Sequence, residues 1–270
     1  MTVASSTVLA YAIGAFATTL LPVIILIVLG VRKKLSVTPM FIGVLAFFVS
    51  QVVLRLPILS VLGTQSWFKS FAENNYIVYV VVIGGFTAGL FEETARYLGV
   101  KFILKKQRGY QDAISFGLGH GFCEAILITG LTFINYLIYC IMINGGTFDT
   151  LAKAMPSATA QQLISVLTAA TAGNIYIGIV ERVFAVTYHV FATVLIFKGI
   201  NSKKIGYYFL AILAHTILNS GAVLLAKYVN VWASEGFLLV VSILAFLYII
   251  KQKKLFPAKH SEVTATQAIA

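Results

Sequence analysis

The sequence predicts an all-α, polytopic membrane bundle of about seven transmembrane helices. Three observations predict it. Hydrophobic residues make up 59% of the 270 residues and charged ones only 11%, where a soluble domain carries about 25% charged residues. The apolar runs are long enough to cross a hydrocarbon core, which takes about 20 residues. The positive residues gather in short clusters between those runs, as membrane topology requires. That clustering also excludes nucleic acid as a partner, despite a net charge of +11.

The first run, 8–31, has no positive residue before it and Arg32, Lys33 and Lys34 after it. A signal peptide has the reverse order and a shorter apolar core, so this is a retained helix with its N-terminus outside. Further spans follow at 37–63, 76–103, 111–143, 172–198, 205–228 and 233–251. The fourth is long enough to tilt or to project from the bilayer. The segment 145–171, rich in Ser, Thr, Ala, Gly and Gln, faces outside and suits a short interfacial helix or a gate. Residues 1–256 then form one membrane domain, and 257–270 a polar cytoplasmic tail. Cys123 and Cys140 share one apolar run and have no metal-binding spacing. No internal repeat is visible.

Charge asymmetry orients the chain. Fourteen Lys and Arg residues lie on one side: 32–34, the 101–108 cluster, 198–204 and 251–259. Only Lys69, Lys153 and Lys227 lie on the other, while Arg55, Arg96 and Arg182 fall inside spans. The positive-inside rule makes this N-out, C-in.

Glu92, Glu93, Glu124 and Glu181 fall within spans, as do His120, His189, His215 and Asn219. An ionisable group at membrane depth costs a few kcal/mol even on gentle scales, faces the bundle interior and often marks function. Counted from the flanking basic residues, Glu93, His120, His189 and His215 all lie about 14–18 Å from the basic edge. Four helices thus place Glu or His at one level. Gly85 with Gly89, and Gly117 with Gly121, are spaced for close helix approach, and predict contact between spans three and four.

Taken singly, a buried histidine is more often structural than a ligand; the shared depth with Glu93 favours function. Glu92 and Glu93 point about 100° apart on a helix, so one can pair with Arg96 while the other acts as a base. Which does which stays open at this point. Glu124 and Glu181 suit the orienting of histidine rings, and Arg55 and Arg182 suit charge partners. Asn219 can donate a hydrogen bond to an oxyanion or simply join helices.

The stretches EETAR at 92–96, FGLGH at 116–120 and HTILN at 215–219 resemble the EExxxR, FxxxH and HxxxN motifs of CAAX-processing and bacteriocin-processing intramembrane proteases. Taken further, EETARYLG, GLGHGFCEA, ERVFAVTYH and LAHTILN resemble the YhfC family of bacterial membrane metalloproteases. PrsW proteases and the scaffold subunit of gamma-secretase are more distant relatives. The resemblance spans about 85–220. It implies a multi-pass protein of the bacterial plasma membrane with Glu92 and Glu93 as the catalytic pair, and matches His120, His215 and Asn219 to the second and third motifs. His189 falls in the ERxxxxxxH stretch of the YhfC-like branch. Two residues separate Glu93 from Arg96, where the broader pattern has three.

The expected activity is hydrolysis of a peptide bond in a membrane protein or lipid-anchored peptide. His120, His189 and His215 are the expected zinc ligands, leaving a fourth position open. Zinc would acidify a water and polarise the carbonyl, with Glu92 or Glu93 taking the proton. A cavity open to the cytoplasm is expected to supply the water. In a metal-free variant, Glu and His120 activate the water while His215 and Asn219 hold the oxyanion. A non-catalytic scaffold or bacteriocin-immunity protein of the same fold is the alternative. A transporter is disfavoured because such proteins often carry inverted repeats.

Overall fold

The structure is a computed structural model that describes residues 2–256; the expected tail at 257–270 lies outside the described residues. Seven helices are long and apolar enough to cross a membrane: Ser5–Val31, Val37–Thr64, Tyr76–Ile103, Tyr110–Asn144, Ala172–Asn201, Gly206–Tyr228 and Val231–Leu255. Their ends fall within a few residues of the expected ones. No strand occurs among the described residues. Helices satisfy every backbone group internally, which is what lets these Val-, Ile- and Phe-rich segments sit in lipid. Thr171 and Asn230 cap the starts of the fifth and seventh spans by accepting from Asn174 N and Ala233 N.

The polar 145–171 segment forms two helices, Phe148–Ala152 and Ser157–Ala169. The second docks by Leu163 and Leu167 on Tyr11, Cys140 and Ile175. Asn144 ties the N-terminus down, accepting from Val3 N at 2.7 Å and donating to Val3 O at 2.9 Å.

Wide i→i+5 turns interrupt several spans, at Phe16–Leu20, Phe48–Arg55 and Tyr79–Phe86 among others. Pro22 and Pro57 follow the first two. Proline lacks an N–H and crowds the preceding turn, and a wider turn accommodates both. The third leaves carbonyls for Arg55, which donates to Ile83 O and Gly84 O at 2.9 Å each, to Thr87 Oγ1 and to Gln51 Oε1. Arg55 was expected to pair with a carboxylate. It serves backbone carbonyls and neutral side chains instead, and no carboxylate forms an ion pair with it among the described residues.

The fifth span is the central pillar. Of its apolar window 56% is buried, against 17–33% for the other six. It contacts the first, third, fourth, sixth and seventh spans. Close approach depends on glycine. A Cβ on Gly43 would lie 2.1 Å from Phe116 O, and one on Gly119 would lie 2.1 Å from Met40 O, so the second and fourth spans cross backbone to backbone. The two glycine pairs behave differently from expectation. Gly85 and Gly89 face the sixth span, at Ser220, Thr216, Ile212 and His215; Gly117 and Gly121 face the fifth, at Val190, Val186 and His189. Spans three and four are therefore not a glycine-packed pair, and each brings a different histidine inward.

At the end of the bundle that carries the basic clusters, Val100, Leu104, Ala113, Phe116, Val194 and Phe197 form a continuous apolar core. Gly43→Ala and Gly119→Ala should each lower stability by about 1–3 kcal/mol through overpacking. Gly63→Ala, with nothing within 4 Å of the new Cβ, should not. Thermal unfolding in detergent compares the three.

Candidate metal centre

Glu92 stands at the centre of the buried polar cluster. Its carboxylate lies 3.0 Å from His120 Nε2, 3.8 Å from His189 Nδ1 and 3.9 Å from His215 Nε2. The three rings come from the fourth, fifth and sixth spans, and the glycines just described deliver them: Gly121 admits His189, and Gly89 admits His215. The rings also face one another, with centroids 4.7 Å apart for His120 and His189 and 5.8 Å apart for His189 and His215.

Glu93 points elsewhere. Arg96 Nη1 lies 2.6 Å from both of its oxygens, and His215 Nδ1 donates to Oε1 at 2.9 Å. Both side chains of the Glu93–Arg96 pair are fully buried. A carboxylate so fully engaged is closed to further partners, which separates two residues the sequence left equivalent. Arg96 also reaches His189 Nδ1 at 3.1 Å through Nη2. Arginine only donates, so that nitrogen accepts and Nε2 carries the proton. Nε2 in turn donates to Glu124 Oε2 at 2.5 Å.

Glu124 therefore backs His189 and Glu93 backs His215. A carboxylate behind an imidazole fixes its tautomer and turns the other nitrogen's lone pair toward the centre. Glu124 is held in turn by Arg182 Nη1 at 3.2 Å, and Glu181 lies 3.9 Å from Arg182 Nη2. Glu181 reaches no ring among the described residues, so its expected part in orienting a histidine does not occur; it belongs to the Arg182 end of the chain of charges. His120 Nδ1 is buried and has no hydrogen-bond partner among the described residues. Phe47 packs edge-on against the same ring.

These donors fit a metal ion. Glu92, His120 and His189 offer one ligand atom each, all within 4.8 Å of one another. One carboxylate with two imidazoles suits a divalent transition metal such as zinc. The set differs from the expected three imidazoles by placing Glu92 where His215 was expected. His215 keeps its Nε2 turned to the other oxygen of Glu92, because Glu93 engages Nδ1. An ion using His189 Nδ1 competes there with Arg96.

A cavity of about 580 Å³ opens onto the cluster. Glu92, Glu124, His189, His215, Asn219 and Tyr188 line its inner end. The Tyr188 hydroxyl is buried without a hydrogen-bond partner among the described residues. Tyr188 was not singled out from sequence; its place immediately before His189, on a ring-bearing stretch of the central helix, was the only signal. The expected cavity on the side of the basic loops is not what the helices build. The lining runs the other way, to Tyr76, Ala226 and Ser234.

The profile of the YhfC intramembrane metalloproteases matches residues 17–238 of this chain. The chain belongs to the YhfC intramembrane metalloprotease family. It is 29% identical over 243 residues to the uncharacterized membrane protein YhfC of Bacillus subtilis, covering 88% of this chain and 93% of that one. No solved structure matches. Like its YhfC relative, the chain is a multi-pass membrane protein, and the cluster lies wholly within the matched region.

Removing Arg96 leaves the buried Glu93 carboxylate with only the His215 imidazole beside it, and breaking a buried pair in this way costs about 3–5 kcal/mol. Arg96→Met should therefore lower stability severely, and the double variant E93L/R96M should recover much of the loss. Thermal unfolding in detergent tests this pair.

Proposed function

We propose that this chain is an intramembrane metallopeptidase that hydrolyses a peptide bond in a membrane-embedded or juxtamembrane substrate. The single observation that carries this reading is the convergence of three imidazoles on the Glu92 carboxylate at the inner end of a cavity.

Hydrolysis needs a water, a proton acceptor and donors for the developing oxyanion. Glu92 Oε2 is engaged by His120, whereas Oε1 makes no hydrogen bond among the described residues and faces His215 at 3.9 Å. Oε1 is thus the oxygen that takes the proton from an attacking water, while His120 holds the carboxylate in place and shares its charge. The Tyr188 hydroxyl and the Asn219 amide line the same wall and donate to the carbonyl oxygen of the bound peptide. Such aimed donors supply much of an enzyme's rate enhancement. Glu93, Arg96 and Glu124 touch no substrate atom in this scheme; they set the tautomers and directions of His215 and His189.

Glu92, His120 and His189 would hold the metal, and His215 is aimed at the same point. A bound zinc ion supplies Lewis acidity, polarising the carbonyl and lowering the pKa of a water. A metal-free scheme has one specific support, the Arg96 guanidinium on the lone pair of His189 Nδ1. Oε1 of Glu92 is the base in both; Oε2, the oxygen nearest His120 and His189, is the one that would meet a metal.

Elemental analysis of the purified protein should find about one zinc ion per chain, with the content lowered in His120→Ala and His189→Ala. Glu92→Gln should lower turnover about 10²–10⁴-fold, the usual worth of a general base. Turnover is read as new protein N-termini in membranes of cells expressing the wild type or the variant. Metal-free protein with undiminished cleavage selects the scheme without zinc. Identical termini with and without Glu92→Gln overturn the peptidase reading and leave a scaffold.

A further inference from the structure

The geometry points to a one-sided enzyme: the peptide reaches Glu92 only from the end of the bundle opposite the basic loops, so the substrate is an apolar peptide segment lying in, or hanging from, the leaflet at that end. This rests on the peptidase reading and names the side and kind of substrate.

Five helices line the cavity, and each does so only from the level of the cluster toward its non-basic end. On the sixth span the lining residues are His215, Leu218, Asn219, Ala222, Val223 and Ala226. That stripe has helical spacing and covers about 16 Å of rise. The fifth span contributes from His189 back to Glu181, and the seventh from Ser242 back to Ser234. No lining residue lies beyond the cluster on the basic side.

Side-chain exposure records the same direction. It is 33% at Glu181, 24% at Arg182, 19% at Glu124, 7% at Glu92 and zero at Glu93. Past Glu93 and Arg96 the packing becomes dry. Phe116, Val194 and Phe197 fill the space between the cluster and the basic loops, each fully buried. An extended peptide therefore comes in from the non-basic end.

Between the polar groups the lining is small and apolar, at Ala185, Ala222, Val223, Leu238 and Val241. Those walls receive an apolar stretch, while Glu181 and Arg182 are the charged groups it passes. A second hollow of about 470 Å³ adjoins the first between the fifth and seventh spans, and Phe184 lines both. It provides a sideways route from the lipid at the same end. On the charge-derived orientation this is the extracytoplasmic leaflet.

Cysteine protection tests the side of entry. Cys123 and Cys140 are first replaced by Ala. Single cysteines are then placed at Ala222 and Ala226 in the cavity, at Thr147 in a non-basic loop and at Ser202 in a basic loop. Sealed vesicles of each orientation are treated with a charged, membrane-impermeant methanethiosulfonate, and surviving thiols are counted with a permeant maleimide after solubilisation. Ala222→Cys and Ala226→Cys should lose their thiols in the vesicles where Thr147→Cys does, and keep them where Ser202→Cys alone is blocked. Blocking of Ala222→Cys together with Ser202→Cys, or from neither side, overturns the proposal. The labelling needs no catalysis, so Glu92→Gln should give the same pattern, and the peptidase reading can fail independently.

Discussion

One ion pair organises the interior. Arg96 and Glu93 lie on the same helix, three residues apart and wholly shielded from solvent. Neither could stay charged there alone, since an isolated charge in such a place is far costlier than a paired one. Each also bonds a different neighbouring helix, Glu93 to His215 and Arg96 to His189. The third span thereby sets the rotation of the fifth and the sixth. Glycines on the third and fourth spans bring those helices near enough for the bonds to form.

Around that pair the polar groups form a graded series. Each carboxylate toward the cavity is less enclosed than the one before, and each has a cation or an imidazole beside it. The arrangement divides labour among chemically identical side chains. Glu93 is closed off by Arg96 and His215, Glu124 is a brace between His189 and Arg182, and of these three Glu92 alone keeps, among the described residues, an oxygen without a hydrogen bond. The residues chosen from sequence as a group thus separate by surroundings rather than by residue type.

Much of this was legible in the sequence. Span number and limits follow from hydropathy because lipid allows so few structures. The common depth of His120, His189 and His215 follows from counting helical rise, which bends and wide turns alter little. Rotation about each helix axis was not legible. Gly85 and Gly117 look equivalent in sequence, yet they face the sixth and fifth spans, and only the packed bundle decides that. Arg55 looked like a charge partner, but a wide turn exposed carbonyls whose existence no residue pattern announces. Tyr188 was hidden by its own hydrophobicity: in an apolar helix a tyrosine is ordinary until its hydroxyl is found without a partner.

The apolar core that closes the basic end also bears on energy conservation. A hollow that reaches the middle of the bundle and is lined with titratable groups becomes half of a proton wire once water enters it. Phe116, Val194 and Phe197 supply the other half of the membrane's insulation, since none of them offers a site to which a proton could hop. A cell that stores work as an ion gradient can therefore keep such a polar hollow inside its energised membrane without short-circuiting it.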